Sequence, residues 1–449
     1  MRSSYAVLTG RRPVYFGWWL VASGVVLMAV TSGTSFWAFG LYIKPVEEEF
    51  GWSRATVSFG ISLSLLISGL AAPIVGRAID HYGPRRVTLL GAVLTSASFL
   101  LVATTSSIWE WYFFLALNAV VRTMAFYIPF QSLVARWFDR RRGFAVGVMG
   151  VGFSLGGLIM VPVLRVVMDA WDWDGTLIFS GVLLASIYLP LGFKFIRNDP
   201  SDVGQEVDGD AVPRGQAPTG PRRLPGLTPR QALRTPLLWA LSLALGFLFY
   251  GITGWMIHMI PYYESVGVSP GMAAALVSLA AGVGIISRLG FGLLADKVRY
   301  IETGAAVLSA LLVVALASLL ISGGSTLGIV FFLGFFLIGS AGGPMLEPLL
   351  LTRAFGLAHF ATILGLVGVL GTIGTVVSPT VAGAIFDQTG EYDWALVMWM
   401  SSVALGGLLF LVAARMPRPV IPALEPLPVE PEVVAAGGGM PVEAPAAPV

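Results

Sequence analysis

Four ionisable residues lie inside long apolar stretches, and their types bound the chemistry. Arg288 falls in the run 272–295, about 6 Å from its midpoint at ~1.5 Å per residue. A guanidinium at that depth is costly unless it is paired or wetted, so it should face a cavity. There it could grip a carboxylate with two parallel hydrogen bonds. The competing reading pairs it with Asp296 or with loop carbonyls, as part of a gate. Arg122 sits near the middle of the run 110–134. It cannot carry a proton itself, so it binds an anion, tunes a nearby acid or tethers helices. Phe126, Tyr127 and Gln131 follow it and would extend the same wall.

Glu347 lies between Pro344 and Pro348 in the run 327–351. It is the candidate proton site; the alternative is a salt bridge to Arg353 or Arg136. His258, in the run 237–262, is of the residue type that changes charge near neutrality. It is a candidate for substrate contact and for proton coupling, or else a packing histidine. Tyr250, two turns earlier, is a candidate for the cavity wall.

The elements that must position these residues are membrane spans. The chain is 56% hydrophobic and 12% charged, with mean hydropathy +0.81. Soluble proteins are about a quarter charged. We read twelve spans, at 15–43, 55–75, 87–104, 110–134, 143–167, 175–195, 237–262, 272–295, 303–322, 327–351, 359–385 and 394–414. They divide the chain into an N-terminal segment 1–14, a six-helix bundle 15–195, a polar linker 196–236, a second bundle 237–414 and a tail 415–449. The tail's Pro, Ala, Val and Glu predict disorder. The net charge of +2 gives no reason to expect nucleic acid. His81, His258 and His359 are too dispersed for a metal site, and no cofactor motif is visible.

Lys and Arg set the orientation. Alternate loops hold Arg2, Arg11 and Arg12; Arg77, Arg85 and Arg86; Arg136 and Arg140 to Arg142; the central linker; Lys297; and Arg353. The opposite loops hold only Lys44, Arg54 and Arg165. Short basic loops stay inside, so a cytoplasmic (inner) membrane protein with both termini cytoplasmic is expected. The halves also repeat. Gly76-x-x-x-Asp80 follows span two and Gly292-x-x-x-Asp296 follows span eight. Arg136 and Arg353 close spans four and ten, each followed by a Gly-rich helix. Related halves point to a transporter. Asp80 would pair with loop arginines or cap a neighbouring helix and so latch the halves. Arg85, Arg86, Arg136, Asp296 and Arg353 are the other gating candidates.

The stretch Gly76, Asp80, Gly83, Arg85, Arg86 resembles the loop signature of the major facilitator superfamily. Phe16-Gly-Trp-Trp19, Arg136-Trp-Phe138 through Gly150, and His258-Met-Ile-Pro261 resemble bacterial relatives of the monocarboxylate transporters. Trp37 and Gly284 stand near positions where animal members carry a lysine and an aspartate. The resemblance implies an all-α fold of two pseudo-symmetric six-helix bundles, working as a single chain in the lipid bilayer. It also implies a carboxylate-binding role for Arg288. The expected function is secondary active transport of a small organic anion by alternating access, with proton symport one reading of its coupling. The alternative is a proton-coupled exporter of drugs or metabolites. An enzyme is not expected.

Overall fold

Helices begin and end where the sequence supplies caps. The structure, a computed structural model, describes residues 14–210, 224–298, 300–340 and 343–421. The first six spans are α1 (Phe16–Phe50), α2 (Arg54–Tyr82), α3 (Pro84–Ala103), α4 (Ile108–Trp137) and the merged run Arg142–Phe195. Trp171 and Asp172 leave helical geometry inside that run, with φ +56° at Asp172. This break divides it into α5 (142–170) and α6 (173–195). The second six are α7 (Pro236–Ser265), α8 (Pro270–Ala295), α9 (Ile301–Ser322), α10 (Thr326–Ser340 and Gly343–Phe355), α11 (Phe360–Thr389) and α12 (Asp393–Arg415).

Among the described residues, nine helical runs are long and apolar enough to cross a membrane. The merged α5–α6 run counts once there, and α8 and α10 complete the twelve. Several helices outlast their apolar stretch. Thus α2 runs to Tyr82, where Gly83 at φ +83° turns the chain into Pro84 at the first position of α3. Only glycine takes that φ without strain, and proline is preformed for a helix start. At the other end of α3, Ser107 and Glu110 cap α4 reciprocally.

Among the described residues three helices are interrupted, and two of the interruptions face each other. α1 has a π-helical turn at Gly33–Trp37 and α5 has one at Gly156–Met160. These two turns pack together: a Cβ on Gly156 would meet Ser32, and one on Gly33 would meet Met160. Such turns cluster at functional sites. α4 breaks at Met124–Phe126. Each bundle has its own aromatic core, Trp111 and Trp137 in the first and Trp255, Trp399 and Phe332 in the second. Outward-facing tryptophans form two tiers, Trp19 and Trp239 at the linker end and Trp109, Trp171 and Trp394 at the other. Aromatic belts of this kind mark the two membrane interfaces.

The described parts of the linker are anchored, one to each half. Asn198 accepts a hydrogen bond from the Arg85 amide at 3.0 Å, and Gln205 from the Phe16 amide at 3.0 Å. Asp208 accepts from the amides of Asp139 and Arg140, at 3.2 and 2.8 Å. On the other side, Leu227 donates to Phe355 O at 2.8 Å and Leu357 to Pro225 O at 2.7 Å. The linker's polar residues therefore also bind chain ends that lack partners. The stretch 211–223 between the anchors, the N-terminal segment with Arg2, Arg11 and Arg12, and most of the expected tail lie outside the described residues.

Candidate functional site

The two bundles meet along two crossing helix pairs, α2 with α11 and α5 with α8. Small residues make the crossings close. A Cβ on Gly76 would come 2.2 Å from Ala361 O, and one on Gly365 would come 2.5 Å from the Ala72 backbone. Gly143 and Gly292 face each other so closely that a Cβ on either meets the other's carbonyl at 2.7 Å. Gly147 approaches Arg288 O in the same way, at 2.9 Å. Residues four apart share one face of a helix, so Gly143 and Gly147 turn to α8. Gly152 and Gly156, further round α5, turn to α1.

The repeated aspartates seal these crossings. Asp80 accepts hydrogen bonds from the amides of Ala361 and Thr362, at 3.2 and 2.8 Å, and from Thr362 Oγ1 at 2.6 Å. Asp296 accepts from the amides of Gly143 and Phe144, at 2.6 and 3.0 Å. Each carboxylate thus satisfies the open N-terminus of a helix in the opposite half, where the helix dipole also favours it. Burial pushes the Asp296 carboxyl above the ordinary carboxylate range, outweighing the two amides and Arg353, which pull it down.

The gating arginines take another course. Arg85 donates to Phe193 O at 3.3 Å and Arg136 pairs with Asp199 at 3.4 Å, both within the first half and its linker. Arg86 is exposed. Arg353 donates to Ala295 O and Val298 O, at 3.1 and 2.9 Å. Those carbonyls end α8 and have no helical partner, which is why a guanidinium serves them. In these bonds Arg85, Arg136 and Arg353 brace their own half, while the two aspartates reach across.

Three of the mid-depth candidates meet the other half. Tyr127 opens the second part of α4 and donates to Glu347 Oε2 at 3.3 Å. Glu347 is 5% exposed, and among the described interactions it bonds neither Arg353 nor Arg136. Arg288 hydrogen-bonds Ser154 Oγ on α5, and its Cδ lies 3.6 Å from where a Cβ on Gly150 would be. Asp296 is taken by the α5 amides instead. Among the described residues, neither Arg288 nor Arg122 has an acid in salt-bridge contact. Arg122 is buried in the first half, its Nε without a partner, and Gln131 Oε1 is likewise buried without a donor.

The remaining two candidates are engaged inside the second half. His258 Nε2 lies 3.0 Å from Pro379 O and Nδ1 3.2 Å from Tyr392 Oη. Tyr250 Oη donates to Met398 Sδ at 3.2 Å. Ser154 was not among the candidates, although it is the one hydroxyl in the apolar run 143–167.

The described hydrogen bonds between the halves all lie between mid-depth and the linker end. Toward the other end the partners separate. Leu158 and Ile159 of α5 are exposed, and a Cβ on Gly271 or Gly282 of α8 meets nothing within 4 Å. The described cross-half bonds thus close the linker end, with Arg288 and Glu347 at their inner limit. A cation beside a hydroxyl, and a buried acid on the same seam, can hold an anion and carry a proton.

Comparison with known proteins agrees with this architecture. The chain is similar to monocarboxylate transporter 12 of Rattus norvegicus, 25% identical over 446 residues and covering 91% of this chain and 88% of that protein. It is 27% identical over 420 residues to monocarboxylate transporter 11 of Mus musculus, covering 89% and 88%. Its fold matches a bacterial homologue of the iron transporter ferroportin in its outward-facing state, with TM-score 0.69 at 15% identity over 89% of this chain and 99% of that one. The family model of the Major Facilitator Superfamily matches residues 25–360, and the chain is a transporter of that superfamily.

Proposed function

We propose that this transporter moves a small monocarboxylate across the cytoplasmic membrane by alternating access, in symport with a proton. One observation carries the reading: Arg288 stands at mid-depth on the seam between the bundles with a neutral hydroxyl as its partner. A cation held there without a counter-ion favours an anion that arrives and leaves. The monocarboxylate transporters to which the chain is similar support a carboxylate as that anion. Glu347 takes the proton. It is a buried carboxyl on the same seam, bonded to a residue of the opposite half. Asp80 and Asp296 hold the gate shut at the linker end, which the basic loops assign to the cytoplasm. The conformation is then outward-facing, ready to load substrate and proton from outside.

The test is uptake of labelled short carboxylates into proteoliposomes, with and without an inward proton gradient. Arg288→Ala should abolish uptake while the protein remains monodisperse. Full uptake by that variant would remove the carboxylate clamp. Wild-type uptake that ignores the proton gradient would remove symport.

A further inference from the structure

The depth at which Ser154 meets Arg288 has a second feature. The residue before it, Phe153, lies about 100° further round α5 and turns to α1 and α4. Its ring centroid is 5.4 Å from that of Trp37, 5.3 Å from Phe36 and 6.2 Å from Phe126. Phe126 immediately precedes Tyr127, the residue bonded to Glu347. Four rings therefore bridge the neighbour of the cation's partner and the neighbour of the acid's partner.

The wall is rigid. Trp37 Nε1 donates to Phe153 O at 2.9 Å, and Ser32 Oγ donates to the same carbonyl at 3.2 Å. The paired π-helical turns of α1 and α5 lie directly beside it. The wall is also open. Phe36 is 42% exposed, and Trp37, Phe126 and Phe153 are only partly buried. The comparable cluster in the second bundle, Trp255, Trp399 and Phe332, is 0% exposed. A packing cluster closes over its rings; this one leaves them partly open, one residue away from Ser154 and from Tyr127.

We propose that the substrate is an arene-bearing monocarboxylate. Its carboxylate lies on Arg288 and its ring on the wall formed by Phe36, Trp37, Phe126 and Phe153. The inference rests on the carboxylate reading above and narrows it. Offset or edge-on stacking with these rings adds to the area the arene buries. Each favourable ring pair changes affinity by roughly twofold to tenfold. Acids without a ring forgo that gain.

The experiment measures competition by unlabelled acids in proteoliposome uptake, comparing phenylacetate and 3-phenylpropionate with acetate and propionate. The aryl acids should half-saturate at concentrations at least ~4-fold lower, since more than one ring pair contributes. Phe153→Leu and Phe126→Leu should narrow that ratio to within about threefold, by loss of ring pairing with bulk retained. Phe36→Leu, at a half-exposed position that the core does not need, should narrow it in the same direction. Equal half-saturation of aryl and short acids, with Arg288 still essential, would overturn the aromatic wall and leave the carboxylate reading standing. An aryl preference untouched in all three leucine variants would also overturn it. Absence of any carboxylate uptake would overturn both.

Discussion

Tyr127 Oη donates to Glu347 Oε2 at 3.3 Å across the seam between the two six-helix bundles. That is longer than the usual 2.5–3.0 Å for a hydroxyl donor, so the bond is weak. At most about 1 kcal/mol should ride on it. Tyr127→Phe should therefore slow uptake about fivefold or less. Glu347→Gln keeps the shape but removes the titrating group. It should abolish accumulation driven by a proton gradient while exchange of labelled for unlabelled substrate continues, because exchange moves no net proton. Gradient-driven uptake and counterflow on the same proteoliposomes separate the two. Wild-type accumulation by the glutamine variant would take the coupling role away from Glu347.

The linker-end gate should depend on Asp80 through its three hydrogen bonds to the start of α11. Loss of a helix cap costs about 0.5–2 kcal/mol. Asp80→Ala should thus shift the gate toward open by roughly 2- to 30-fold. Gly76→Ala should act in the same direction, because its Cβ would strike the Ala361 carbonyl at 2.2 Å and backbone cannot step aside. The chain has no cysteine, so one introduced thiol is the only one present. Met345, 2% exposed and packed against Gly147 of the other half, is a suitable place. Maleimide should label Met345→Cys faster in both gate variants. An unchanged labelling rate would remove Asp80 from the gate.

Much of this arrangement was legible in the residues themselves. Twelve apolar runs, the repeated Gly-x-x-x-Asp and the basic alternate loops already implied two related bundles. Capping by Asp80 was one of two readings of a carboxylate at a helix end. What could not be read were pairings fixed by how the bundles dock. Tyr127 and Glu347 are 220 positions apart, and Ser154 and Arg288 are 134 apart. No local period encodes either. The same holds for the π-helical turns of α1 and α5, which exist because Gly33 and Gly156 let two backbones meet. The gating arginines illustrate the opposite error of scale. Their charge suggested partners across the seam, but Arg85 and Arg353 serve carbonyls near the ends of neighbouring helices in their own half, and Arg136 pairs with a linker acid.

His258 is where the proton reading can be tested against a rival. Pro379 O can only accept, so Nε2 of a neutral ring carries the hydrogen and Nδ1 accepts from Tyr392 Oη. Both nitrogens are then occupied within the second bundle, tying α7 to α11 and to the turn before α12. Two such bonds contribute about 1–3 kcal/mol. His258→Ala should lower the melting temperature in detergent, and Tyr392→Phe should lower it by a smaller step. Neither should change the shape of the pH profile of uptake, which Glu347→Gln should flatten. Measuring melting and pH profile on the same three variants decides between the sites. If His258→Ala flattens the profile and leaves melting unchanged, the histidine carries the proton and Glu347 does not.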